Sequence, residues 1–192
     1  MNLTGTKRLE TERLILRQIL KDDTAPYYKE ILSDAQRLYY LDRDCVANIR
    51  EAEVFVENIL SRYREGDYFF WVIEEKSTSE TVGYVWISHT ENFRRLAEIE
   101  YVTCKSAEGH GYMTEAVKRV FDYLLSEVGY FRVEAVCNVE NTASARVMEK
   151  AGMVFEGVLR GRAKIKNADG NPGDLRLYSV LPTDLKQKKQ NF

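Results

Sequence analysis

The stretch 96–128 most constrains what this chain can fold into. It holds LAEIEYVT, a strand-like alternation, then the glycine-flanked EGHGYMTEA, then a long apolar-periodic run. In that run Met113, Ala116, Val117, Val120, Phe121, Leu124, Leu125 and Val128 repeat at i, i+3, i+4 and i+7. The spacing predicts an amphipathic helix over 113–128, with Gly129 as its stop. Such a helix has to bury its apolar stripe against another layer. The candidate layer comes just before it in three strand-like runs: YFFWVIEE (68–75), TVGYVWISH (81–89) and LAEIEYVT (96–103). Their linkers are short and polar, which favours antiparallel pairing.

The flanking segments extend the same plan. Leu14, Leu16 and Ile19 alternate with polar residues in RLETERLILRQI (8–19), which predicts an opening strand. Asp22, Asp23 and Thr24 offer N-caps, and Pro26 suits the first turn of a helix running to about Asp34. Residues 36–48 show no clear period, and a second helix fits 50–65, ended by Gly66. Beyond Gly129 the pattern predicts a strand at 131–137 and a short helix near 142–151 stopped by Gly152. Two strands follow, near 153–166 and 174–181, joined by the turn-rich NADGNPG. The order βαα–βββ–α–β–α–ββ implies an α/β (α+β) chain with a mixed sheet and helices packed on its faces.

Bulk properties exclude several classes. The 192 residues suit one domain, with a core over about 8–182 and a basic, solvated tail at 183–192. A formal net charge of −2 gives no electrostatic pull toward nucleic acid or an anionic membrane. No apolar run reaches the length of a membrane span, and MNLTGTKRLETER lacks the apolar core of a signal peptide. The three cysteines, Cys45, Cys104 and Cys137, are widely spaced and suit a reducing cytoplasm. With only His89 and His110 as histidines, no metal site is expected.

Two segments carry candidate chemistry. At EGHGYMTEA a strand gives way to a strong helix through Gly109 and Gly111. Glycine lets a ligand approach the backbone closely, and the first helical N–H groups have no internal partner, so the turn is a candidate anion site. A Gly-x-Gly pair alone is neither a dinucleotide fingerprint nor a Walker loop, and a plain strand–helix turn is the other reading. In NVENTASARVMEKAGM (138–153) two asparagines and Ser144 sit at a second strand–helix junction. They either cap the helix or hydrogen-bond a long polar ligand.

As an ordered set, TERLILR, VGYVWI, AEIEYV, GHGYMTEAVK, NVENTASARVMEKAGM, FEG and DLRLYSVL resemble the GNAT superfamily of acetyl-CoA-dependent N-acetyltransferases, most of all its ribosomal-protein-alanine type. The resemblance spans nearly the whole chain. It implies the GNAT fold, a mixed and largely antiparallel sheet of about seven strands, splayed in the middle, with helices on both faces. It implies acetyl-CoA as cosubstrate, with its pyrophosphate on the loop Gly109, His110, Gly111, Tyr112, Met113 and Thr114. Its pantetheine arm would lie beside Tyr101, Val102 and Thr103, between strands 96–103 and 131–137. Asn138, Asn141, Ser144 and Arg146 would complete the cofactor site. The family's loop usually opens with Gln or Arg where this chain has Glu108, and often has Gly or Ala where it has Met113.

The resemblance also assigns catalytic roles. Glu98 matches a strand glutamate that acts as base. Glu100 lies two residues on and shares its face. A solvated sheet face is the plain alternative for both. Ser144 matches the residue thought to protonate the departing sulfur. A second glutamate base of the ribosomal type falls at Ala163, leaving that role unfilled. A covalent route through Cys104 is disfavoured for want of an activating histidine. His110 reads as a solvated loop residue, and Cys137 and Tyr178 as core. The acceptor is expected to be a primary amine, either a protein N-terminus or a small molecule. It would enter between QRLYYLDRDCVAN (36–48), with Asp42 and Asp44 as possible cation partners, and 158–174. The protein is expected to be cytoplasmic and a monomer or homodimer. The competing class is a catalytically weak CoA-binding module acting as sensor or scaffold.

Overall fold

A computed structural model describes residues 4–41, 43–163 and 170–189. The pairing of short alternating strands builds one eight-stranded sheet, in the order β1-β2-β3-β4-β5-β6-β8-β7. The strands are β1 Leu9–Glu10, β2 Leu14–Arg17, β3 Phe70–Glu75, β4 Thr81–Glu91, β5 Leu96–Thr103, β6 Arg132–Asn138, β7 Val154–Leu159 and β8 Leu175–Val180. Every ladder is antiparallel except β5–β6, which the intervening helix makes parallel. That parallel ladder is short. It pairs Leu96 with Arg132, Ala97 with Val133 and Glu98 with Glu134, and then stops. β5 runs on to Thr103 held by β4, while β6 runs on to Asn138 held by β8, so a gap opens between them. A bulge in β4 between Ile87 and His89 lies opposite the last paired residues of β5. Bulges bend a strand and sharpen its twist, which helps the two half-sheets diverge at this level.

Helices cover both faces, as the continuous apolar run of β3 requires. The helices are α1 Thr24–Tyr27, α2 Ala35–Tyr39, α3 Ile49–Arg62, α4 Tyr112–Tyr123, α5 Thr142–Ala151 and α6 Pro182–Lys189. On one face Tyr27 of α1 packs on Tyr84 and Phe70, with ring centroids 4.2 and 6.0 Å away. On the other, Tyr123 of α4 meets Trp71 edge-on at 6.1 Å. All eight residues predicted for the α4 stripe, from Met113 to Val128, are buried. α4 ends in a π-turn, Leu124–Val128, closed by left-handed Gly129.

Four details depart from the sequence reading. The opening strand is a tight hairpin, β1 and β2, because Thr11 N–H returns to the Leu14 carbonyl at 3.0 Å; this gives eight strands where about seven were expected. The apparently aperiodic 36–48 contains α2, nucleated by Asp34, whose carboxylate accepts the N–H groups of Gln36 and Arg37. The helix predicted for 50–65 stops at Arg62. The backbone of the expected tail is helical from Pro182 to Lys189. Part of the NADGNPG turn, Asp42 and the side chains of the basic stretch 186–190 lie outside the described residues. Among those residues no helix is long and apolar enough to cross a membrane.

Gly83 fixes how α4 sits on the sheet. A Cβ there would lie 2.5 Å from the Val102 carbonyl oxygen and 2.8 Å from the Met113 Cε. Gly83→Ala is therefore expected to lower unfolding stability by roughly 1–3 kcal/mol, measured by urea denaturation. A substitution without effect would show that α4 and β5 shift freely.

Candidate active site

The glycine turn joins β5 to α4 and leaves the helix start open. Gly109 and Gly111 take positive φ of 79° and 76°, where side-chain-bearing residues are strained. Gly111 is the N-cap and offers no side chain to the first amides of α4. Those amides, with the helix dipole, face one elongated cavity of about 740 Å³. Its walls include Glu100, Tyr101, Val102, Thr103, Gly109, Gly111, Tyr112, Met113, Thr114, Asn141, Ser144 and Arg146. The structure thus brings most of the predicted cofactor residues into one space. At Gly109 nothing lies within 4 Å of where a Cβ would be, so a ligand can reach the backbone. An uncapped helix start, glycine backbone and a long cavity between parting strands fit a pyrophosphate followed by a narrow polar arm.

Neither departure in the loop blocks it. The Glu108 carboxylate turns to α2 and pairs with the Arg37 guanidinium. Arg37 also reaches the Thr103 carbonyl at 3.4 Å and lines the cavity, so a cation neutralises the carboxylate at the front of the turn. Met113 is 4% exposed, its side chain lodged in the space that Gly83 leaves, so only its backbone belongs to the turn. Arg13, just before β2, holds the loop. Its guanidinium lies 4.6 Å from the Tyr112 ring centroid, donates to the His110 carbonyl at 3.1 Å and bonds Glu115 at 2.7 Å. Sequence reasoning missed Arg13 and Arg37, since nothing local at either points to partners 97 and 71 positions away.

The far wall is polar and ordered. Tyr101 crosses the gap from β5 to α5, its hydroxyl 2.8 Å from Ser144 Oγ and 3.0 Å from the Ser144 carbonyl. Burial pushes the Tyr101 phenol well above its ordinary pKa, so it stays protonated. Asn141 caps α5, its side-chain oxygen accepting the Ser144 N–H at 3.1 Å. That is the capping role weighed from sequence, and Asn141 still lines the cavity. Arg146 is exposed on the rim.

Three predicted residues stand apart from the cavity lining. Asn138 is buried and turns its carboxamide to the Glu140 N–H at 2.9 Å. His110 is exposed, stacked on Tyr112 at 5.6 Å. Glu98 sits just beyond the cavity, at the vertex where β5 and β6 part. Glu98 and Glu100 do share a face, and both are half-buried. Burial raises the Glu98 pKa, reinforced by the negative charges of Glu100 and Glu134. Cys104 is fully buried and its thiol is pushed up to about 12, which leaves no thiolate for a covalent route. Cys137 is raised to about 11 by burial, as a core thiol should be. Tyr178 is core, bonded to Glu149 at 2.8 Å, and Ala163 is buried. Among the described residues no cluster of His, Cys, Asp and Glu could hold a metal ion.

A parted parallel strand pair, an uncapped helix beside it and a polar gap between them define an acyl-CoA-type site, and the comparisons with known proteins agree. The profile of the acetyltransferase (GNAT) domain matches residues 13–154. The chain therefore belongs to the GNAT acetyltransferase family, as an acetyl-CoA-dependent enzyme that acetylates amines. It is 31% identical over 173 residues to the uncharacterized N-acetyltransferase YoaA of Bacillus subtilis (strain 168), covering 90% of this chain and 96% of that one. Two solved structures share its fold. One is the ribosomal-protein-S5-alanine acetyltransferase from Vibrio fischeri, with TM-score 0.78, 20% identity, and 91% and 96% coverage of the two chains. The other is the spermidine N-acetyltransferase from Vibrio cholerae in complex with CoA and spermine, with TM-score 0.77, 19% identity, and 91% and 98% coverage.

The Arg37–Glu108 pair makes a clear expectation. Arg37→Ala exposes an unpaired carboxylate beside the cradle and should weaken CoA binding by about tenfold in calorimetry. Adding Glu108→Gln to that variant should recover most of the loss. No recovery would mean that Arg37 acts on the cofactor site by some other means.

Proposed function

We propose that the enzyme transfers the acetyl group by direct attack of a neutral primary amine within a ternary complex, using residues 8–182 as one catalytic domain. The observation that carries this is the gap between β5 and β6, with Glu98 at its vertex and the Tyr101–Ser144 pair on its wall. Acetyl-CoA, when bound, supplies a thioester whose carbonyl carbon is attacked and whose sulfur leaves. Gly109, Gly111 and the first amides of α4 hold the pyrophosphate, and Arg37 offsets the charge of Glu108. Beyond Glu98, alternate peptide groups of β5 face the gap instead of a neighbouring strand. Their N–H groups are placed to polarise a carbonyl and to receive the oxyanion.

Glu98 takes the proton from the incoming ammonium. Its raised pKa brings it closer to the amine's, which suits a general base. Ser144, hydrogen-bonded to the neutral Tyr101 phenol, provides the proton or hydrogen bond that the departing thiolate needs. Tyr101, read from sequence only as a pantetheine neighbour, joins Ser144 in this role. Glu100 lines the path of the amine and keeps the Glu98 pKa high. The acceptor is a protein N-terminus or a small-molecule amine entering beside α2. Three departures from the family's pattern, Glu108, Met113 and Ala163, would favour the binding-only alternative. Two of the three are accounted for by Arg37 and Gly83, and Glu98 supplies a base in place of the third.

CoA release across a panel of amines and N-terminal peptides, followed with a thiol reagent, tests the reading. No amine-dependent release from any member would refute it. Glu98→Gln is expected to lower kcat/KM by about a hundredfold or more. In the wild type the acid limb of kcat/KM should lie above the ordinary carboxylate range. Glu100→Gln removes a nearby negative charge, stabilises ionised Glu98 and should move that limb to lower pH. A limb that stays in place would exclude Glu98 as the titrating base. Ser144→Ala and Tyr101→Phe should each cost about tenfold in kcat, and the double variant little more, because the pair acts as a unit.

A further inference from the structure

On the sheet face opposite α4 and α5, an arginine occupies a place built for a cation. Arg43, from the connection between α2 and α3, lays its guanidinium 4.9 Å from the Trp86 ring centroid. One of its nitrogens lies 3.6 Å from Glu100 Oε2, within ion-pair range but too long for a hydrogen bond. Trp86 and Glu100 are direct cross-strand partners on β4 and β5, so ring and carboxylate share one face. Trp86 is 94% buried by its 6% exposure and stacks on Phe70 at 6.1 Å, which fixes the ring. Its indole N–H and the Glu100 Oε2 atom are both buried without a hydrogen-bond partner. The box therefore holds an aromatic face, an unsatisfied carboxylate and a resident cation that fills it incompletely.

We propose that the Trp86–Glu100 box is a subsite for a second cationic group of the acceptor, and that Arg43 fills it until the acceptor arrives. The proposal rests on the reading that Glu98 receives the reacting amine. Glu98 is the next residue along β5 on the same face, about 7 Å away by strand geometry. A dication on a short aliphatic spacer thus places one nitrogen at Glu98 and the other over Trp86. The charge balance agrees. The negative charges of Glu100 and Glu134 add to burial in raising the cost of ionising Glu98 on this face. Arg132 pairs with Glu134 at 2.8 Å and is shared with Glu156, while Arg43 lies within ion-pair range of Glu100 and His89 stands opposite Glu98 on β4. Arg43 is held loosely enough to leave. Its side chain is 38% exposed, and its backbone N–H reaches the Leu38 carbonyl only at 3.5 Å.

Calorimetry of the whole protein without acetyl-CoA tests this separately from catalysis. The probes are 1,4-diaminobutane and n-butylamine, together with glycyl-lysine amide and glycyl-leucine amide. The dication of each pair should bind more tightly than its monocation. Arg43→Gln should tighten dications by about tenfold and leave monocations unchanged, whereas Glu100→Gln should remove the preference. Which pair shows the larger effect tells whether the second cation comes from a small diamine or a peptide side chain. Equal binding within both pairs, or unchanged or weaker dication binding in Arg43→Gln, would overturn the subsite. Arg43-dependent binding of a dication that is never acetylated would leave the subsite standing and refute Glu98 as the place of the reacting amine.

Discussion

The rest of the structure depends on one interrupted ladder. β5 and β6 pair for three residues and then part, each kept straight by an antiparallel neighbour that the other lacks. Unpaired peptide groups inside a sheet are costly unless something bonds them, so the gap is a standing demand for a polar ligand. α4 and α5 pack against each other below it, and Tyr101 reaches across to Ser144, so the gap is propped open by contacts that do not involve a ligand. The two strand–helix junctions, EGHG and NVENT, fall at the ends of the parting strands and open onto the same space.

Charge is arranged around that gap in two compartments. On the cofactor side, Arg37 and Arg13 clamp the glycine turn, and Arg146 and Lys150 line the cavity. On the acceptor side, Glu98, Glu100 and Glu134 gather on one face with Arg43 and Arg132 as their cations. That arrangement suits a polyanion on one side and a cationic amine on the other, as the proposed mechanism requires. α2 and the residues after it reach both compartments, Arg37 at the glycine turn and Tyr40 and Leu41 in the lining of the cavity that Glu100 also lines. Its N-cap, Asp34, therefore positions a helix of functional weight.

Much of this was legible in the sequence because it is periodic or local. The stripe from Met113 to Val128 specified α4, the apolar runs of β3 and β4 specified the buried middle of the sheet, and the alternation of β5 the shared face of Glu98 and Glu100. The ordered motifs carried the family, and with it the cofactor and the loop. What stayed hidden depends on residues distant in the chain. Glu108 stood out as a departure from the family's Gln or Arg, and the Arg37 that neutralises it is paired with it only in three dimensions. Met113 stood out where the family often has Gly or Ala, and the space for it comes from Gly83 on β4. α2 was missed because five residues are too few to display a helical period, although Asp34 was a readable cap. The Arg43–Trp86–Glu100 box joins a loop and two strands, and no local pattern announces it.

Hydrogen exchange of the β5 and β6 amides with and without CoA tests the central claim most directly. In the free protein, residues 99–103 and 135–138 on the gap side should exchange faster than the three paired residues before them. CoA should protect both segments together with the start of α4. Protection confined to some other surface, with the gap unchanged on saturation, would contradict the account.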